Sequence, residues 1–117
     1  MDQNIEIEVY SLYYRHMYPF ELIQNWLSYG DKTYFSRREF SIMSNNEMYQ
    51  RYLSYDSFME FKNDIIQKSP SKIDIGAVFS SKPRDHKIIA SDCFISVERE
   101  LVFDIDLTDY DDVRFCC

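Results

Sequence analysis

The run Glu100–Arg114, ELVFDIDLTDYDDVR, decides how this chain is read, because an apolar segment ending in two carboxylates two residues apart has the layout of a strand that carries a metal site. Side chains alternate across an extended strand, so Leu101, Phe103, Ile105 and Leu107 are expected on one face and Val102, Asp104 and Asp106 on the other. The first face reads as core and the second as a pair of anions. Neighbouring carboxylates raise each other's pKa, and a bound Mg²⁺ or Mn²⁺ removes that conflict. Hard oxygen donors suit such ions. Two metals held about 3.5–4 Å apart can activate an attacking hydroxyl and stabilise the leaving oxygen of an in-line phosphoryl displacement, which is polymerase or nuclease chemistry. The competing reading is a solvated turn at a strand end, since Asp-x-Asp is short and common. Seven acids between Glu98 and Asp112, against the single base Arg99, favour a nearby cation. Asp109, Asp111 and Asp112 have a simpler explanation: Thr108 or Asp109 suits a helix N-cap, and acids in a first turn complement the helix dipole.

Outward from that run, the chain alternates in periodicity. Ile5, Val9, Leu12, Tyr13 and His16/Met17 recur with a helical period over the first 18 residues, and Pro19 should end that helix. A second helix is expected from Phe20 to Tyr29 with Leu22, Ile23, Trp26 and Leu27 as its buried stripe, and Gly30 stands where a positive φ is wanted. Residues 33–43 and 47–55 read as a β-hairpin around Ser44-Asn45-Asn46. Asp56 or Ser57 would cap a helix to Gln67 with Phe58, Phe61, Ile65 and Ile66 inward, closed by Ser69-Pro70-Ser71. Lys72 to Phe79 reads as a strand, 82–87 as a charged loop, 87–97 as strand-like, and Glu100 to Asp106 as the strand discussed above. Helices and strands are segregated, so the expected class is α+β, with N-terminal helices followed by a mixed β-sheet.

Composition narrows the function classes. With 117 residues, 45% of them hydrophobic and 17% aromatic, and only two Gly, the chain is one domain's worth of packing material and unlike a linker or a disordered tail. No stretch reaches the roughly 20 apolar residues of a membrane span, and the start MDQNIEIEVY lacks a secretory signal pattern. Three Cys, two of them adjacent, do not make a secreted disulfide framework and suit a reducing compartment. A net charge of −7 argues against gripping nucleic acid by bulk electrostatics, although Arg37, Arg38 and Arg51 could form a small basic patch facing the acidic centre. His16 and His86 read as surface residues.

Three stretches in this order, YFSRREFS from Tyr34, KIDIGAVFS from Lys72 and ELVFDIDLTDYDDVRFCC from Glu100, resemble the catalytic (small) subunit of the archaeo-eukaryotic DNA primases in its eukaryotic form. LYYRHMYP from Leu12 and NWLSYG from Asn25 add weaker support. The resemblance implies a partial prim-pol catalytic domain and a DNA-directed RNA polymerase that makes short RNA primers on a single-stranded DNA template from ribonucleoside triphosphates. It also implies a nuclear setting, with the primase large subunit and the DNA polymerase alpha complex as partners. The metal-binding carboxylates of the family fall on Asp104 and Asp106, a further active-site acid on Glu39, and nucleotide or template contacts on Tyr49 and Arg51. Arg51 suits that role chemically, since a guanidinium holds phosphate in bidentate fashion, while a strand-surface salt bridge is its alternative. In the family a Cys-Cys pair opens a four-ligand structural zinc site, so Cys116 and Cys117 look like half of one. Relatives continue into the remaining zinc ligands, a triphosphate-holding segment and a third metal carboxylate. The chain is therefore expected to be an N-terminal portion, truncated at the start of the zinc motif and inactive alone. Two other readings stand beside this one: an interaction fragment that docks the primase large subunit, and a metal-dependent nuclease or phosphatase.

Overall fold

The computed structural model describes residues 3–115, and its architecture follows from where the aromatic residues can be buried together. Helix α1 (Gln3–His16) and helix α2 (Phe20–Leu27) are separated by Pro19, as expected from its missing N–H. A short helical turn α3 (Tyr34–Arg37) leads into strand β1 (Arg38–Met43), which forms a hairpin with β2 (Tyr49–Leu53). Helix α4 (Phe58–Lys68) then crosses to β3 (Lys72–Phe79), and a short β4 (Ser96–Glu98) completes the sheet. The strand order is β2-β1-β3-β4 with every pairing antiparallel, so the class is α+β as expected but the sheet is not mixed among the described residues. β2 and β3 run the same way on either side of β1, joined by α4 in a split β-α-β arrangement.

The core lies between one face of this sheet and the helices. Phe40 and Ile42 of β1 meet Phe35, Tyr55, Phe61 and Ile65, together with Tyr14 of α1 and Phe20 and Leu27 of α2. Phe61 packs against Phe20 at 5.1 Å edge to face and against Phe40 at 4.7 Å, a geometry that adds to simple area burial. Tyr14 sends its hydroxyl to the Pro70 carbonyl at 2.6 Å, and burial pushes its pKa up to about 12.

Expectations about two helix faces and about the extent of some elements need correction. α1 buries Tyr14 with Tyr10 and Tyr18 alongside it, one helical turn apart, whereas Ile5, Val9, Leu12 and Tyr13 are exposed. α2 turns Phe20, Ile23 and Leu27 inward and leaves Leu22 and Trp26 outside, Trp26 at 60% exposure. Residues 33–37, read as strand, form a turn and then α3. Residues 87–97, read as strand-like, form turns and enter the sheet only at Ser96 and Val97, and α2 stops at Leu27 short of Tyr29, while the turn and cap signals hold. Gly30 has φ +75°, and α4 is capped by Ser57, whose side chain accepts from the Glu60 N–H at 3.3 Å while Glu60 Oε2 accepts the Asp56 N–H at 2.9 Å. Ser69 ends α4 in a left-handed conformation before Pro70.

Candidate functional site

Alternation along β1 sends Phe40 and Ile42 into the core, so Glu39 and Ser41 stand on the opposite sheet face. Three of the residues expected to act meet there. Arg51 of β2 donates to Glu39 Oε1 through Nε at 3.2 Å and Nη2 at 3.1 Å, and the Tyr52 backbone N–H adds a longer bond to the same oxygen at 3.4 Å. Tyr49 of β2 donates its hydroxyl to Asp74 of β3 at 2.5 Å, and Asp74 pairs with Ser41 in the β1–β3 register. That bond to a carboxylate pushes the Tyr49 phenol pKa up. Glu39 is buried although it faces away from the core, because Arg51 covers it from one side and β3 passes close on the other. Gly76 permits that approach: a Cβ at this position would lie 3.2 Å from the Glu39 carbonyl oxygen and 3.3 Å from its Cβ.

The arginines do not make a free basic patch. Arg51 takes the salt bridge that was its alternative reading, with its side chain still 58% exposed. Arg37 donates to the Phe79 carbonyl at 3.0 Å and lies 3.9 Å from Asp31. Arg38 is fully buried and grips Glu100 in bidentate fashion at 2.7 and 2.6 Å, with a further bond to the Gly76 carbonyl at 3.0 Å.

Asp104 and Asp106 are placed differently from the expectation. Residues 101–106 form no strand, and the face assigned to core is open, with Leu101, Phe103 and Ile105 exposed at 83%, 77% and 73%. The physical reason is that a strand needs a neighbour for its N–H and C=O groups, and the sheet's pairing ends at Glu98 of β4. Asp106 instead precedes a short helix α5 (Leu107–Asp111) as its N-cap, ahead of the expected Thr108 or Asp109, and its backbone N–H donates to Asp109 Oδ2 at 3.3 Å. Asp109 and Asp111 have structural roles, the latter pairing with Arg114 at 3.3 Å. Among the described residues no group of three or more His, Cys, Asp or Glu side chains could hold a metal ion. Asp104 and Asp106 are both exposed, and Mg²⁺ commonly takes only one or two carboxylates, with water and phosphate filling its other positions. Cys116 and Cys117, the expected zinc ligands, lie outside the described residues. Cys93 is an exposed free thiol.

Sequence reasoning missed Asp74, Tyr52 and His86. Asp74 was legible in principle, since it alternates with Ile73 on a strand whose apolar side faces the core. Tyr52 and His86 are joined across 34 residues by ring stacking, which no local pattern signals. A surface depression of about 500 Å³ on the helical layer, between Tyr18 and Lys62, contains none of these residues.

No family model matches the chain. Curated relatives do. The chain is 42% identical over 115 residues to the DNA primase small subunit of Schizosaccharomyces pombe, covering 97% of this chain and 25% of that protein. It is 46% identical over 108 residues to the Drosophila melanogaster protein of the same name and 43% identical over 108 residues to that of Caenorhabditis elegans. These alignments cover 91% of this chain in both cases, and 24% and 26% of the relatives, so the chain spans about a quarter of their length.

Proposed function

We propose, for a chain that belongs by sequence to the DNA primase small-subunit family over about a quarter of its members' length, that it supplies part of the active site of a DNA-directed RNA polymerase making short RNA primers on single-stranded DNA. The observation that carries this reading is the 42% identity over 115 residues, which takes in the Arg-Glu-Phe-Ser, Lys-Ile-Asp-Ile-Gly and Asp-Ile-Asp stretches together. In this reading Asp104 and Asp106 hold a divalent cation, Mg²⁺ or Mn²⁺, which when bound supplies charge stabilisation for attack of a 3′-hydroxyl on a ribonucleoside triphosphate. Arg51 offers its exposed guanidinium N–H groups to a phosphate oxygen, Glu39 holds that guanidinium from beneath, and Tyr49 fixes the Asp74 carboxylate on the same sheet face. The proposed setting is the nucleus, with the primase large subunit and the DNA polymerase alpha complex as partners. Among the described residues no helix is long and apolar enough to cross a membrane.

The test uses a small-subunit polypeptide of the relatives' length that contains this chain, supplied with ribonucleotides and a single-stranded DNA template. Asp104→Asn with Asp106→Asn is expected to lower primer synthesis by about 10²-fold or more while leaving the melting temperature unchanged, as loss of charge stabilisation at a transferring phosphate requires. The 117-residue chain alone is expected to make no primers. Primer synthesis at the wild-type rate by the double variant would reject the reading.

A second reading has its own support in the exposed apolar residues of 101–115, among them Phe103, Ile105, Leu107 and Val113. It is a docking element for the primase large subunit. Capture of that subunit by the chain, undiminished by the same double substitution, would favour it.

A further inference from the structure

The backbone of Tyr52 is the strained point of the sheet. Its φ of 60° lies in the left-handed region, which a bulky non-glycine residue occupies only at a cost. The register shows why it is there. Between one pairing and the next, β2 advances three residues from Gln50 to Leu53 while β1 covers two, Ile42 to Phe40, so Tyr52 sits in a β-bulge. Bulges re-aim side chains, and they persist where surrounding contacts over-determine them.

Those contacts converge on one guanidinium. The Tyr52 N–H reaches Glu39 Oε1 at 3.4 Å, and the Arg51 guanidinium carbon lies 4.9 Å from the centre of the Tyr52 ring. His86 lies flat on that ring, with centroids 3.8 Å apart and planes 15° from parallel. His86 is itself fixed: its Nδ1 donates to the carbonyl of the buried Pro83 at 2.9 Å, and Phe94 flanks both rings while stacking on Phe79 of β3 at 4.4 Å. A continuous path of contact therefore runs from the 3-10 turn Pro83–Asp85 through His86 and Tyr52 to Arg51.

We infer that Tyr52 and His86 are positioning residues for Arg51: their stack holds the strained bulge in place and so keeps the Arg51 guanidinium over Glu39, ready for a phosphate oxygen. The ligand class rests on the phosphate role proposed for Arg51 above. The phosphate could belong to an incoming nucleotide or to a nucleic-acid backbone, and two probes separate these sources. Without the stack, only the Glu39 bonds would restrain the half-exposed Arg51 side chain, so its guanidinium would sample more rotamers and grip an anion less firmly.

The experiment follows the Arg51 Nε–Hε resonance of the ¹⁵N-labelled chain, assigned by its loss in Arg51→Lys, and titrates ATP in one arm and a short oligodeoxythymidylate in the other. His86→Ala is expected to broaden that resonance and to weaken binding of the responding probe by about 3- to 5-fold, the size of one exposed cation–π contact. His86→Phe, which keeps a flat ring, should restore both readings, and His86→Gln, which keeps a hydrogen-bond donor without a ring, should not. A wild-type resonance and wild-type affinity in His86→Ala, or failure of a folded His86→Phe to restore them, would overturn the inference. If the alanine variant does not fold, the contrast between the glutamine and phenylalanine variants decides in the same way. If Arg51→Lys leaves binding of both probes unchanged, the phosphate role of Arg51 fails, while the resonance of Arg51 across the His86 variants still decides the positioning role.

Discussion

Arg38 and Glu100 show at the scale of single residues how a buried charge is made tolerable. The guanidinium has no solvent exposure, and two bonds to Glu100 and one to the Gly76 carbonyl satisfy its Nη atoms, while Nε is buried with no hydrogen-bond partner among the described residues. Burial pushes the Glu100 carboxyl pKa up, but the Arg38 hydrogen bonds and charge, helped by Tyr29, outweigh it and hold the pKa below the usual glutamate value. A depressed carboxyl contributes stability above its unfolded pKa and loses it as pH falls through the folded one. Glu100→Gln should therefore cost about 3 kcal/mol at neutral pH, the low end for stranding one partner of a buried pair because Glu100 is partly exposed. The difference from wild type should close as urea denaturation is repeated at pH values falling below about 4. A gap that stayed constant with pH would show that the pair contributes by shape and not by charge. Nothing in the local sequence paired these two residues, since they lie 62 positions apart.

At the scale of elements, each helix was legible but its inward face was not always so. α4 carries its own instructions: the Ser57 side chain accepts from the Glu60 N–H, the Glu60 carboxylate accepts from the Asp56 N–H, and Phe61 and Ile65 sit one turn apart on its buried side. Ser57→Ala should cost about 1 kcal/mol of stability in thermal or urea unfolding without changing activity, since only a cap is lost. α2 illustrates the opposite case. Leu22, Ile23, Trp26 and Leu27 and the set Phe20, Ile23 and Leu27 both satisfy a helical period, and contact with α4 selects the second. β3 meets β1 so closely at Gly76 that Gly76→Ala should push on the Glu39 backbone, where little can yield. The expected cost is about 1–3 kcal/mol, with disturbance of the Arg51–Glu39 pair readable in the Arg51 Nε–Hε resonance.

At the scale of the whole molecule, stability is divided unevenly. The sheet from β2 to β3 shares one aromatic core with α1, α2 and α4, whereas residues 101–115 hold their apolar side chains in the open and are tied back through the Arg38–Glu100 pair. Hydrogen exchange should report this directly, with protected amides along β1 and exchange near the unprotected rate over 101–106. Protection of 101–106 comparable to β1 would contradict the arrangement.

What the amino-acid sequence determined alone is what short-range physics controls. The Pro19 break, the positive φ of Gly30, the Ser57 cap, the hairpin from β1 to β2 and the strand from Lys72 all follow from backbone sterics and local hydrogen bonding. The three-stretch resemblance to primase small subunits was also readable from residues in order, and the 39–46% identities to curated relatives agree with it. Only the tertiary structure decided that Glu39, Arg51, Tyr49 and Asp74 share a sheet face, that Trp26 stays outside, and that the Asp104 and Asp106 segment lies off the sheet. The reason is that alternation says which residues share a side of a strand, whereas which side is buried, and whether a segment pairs at all, depends on neighbours brought from far along the chain.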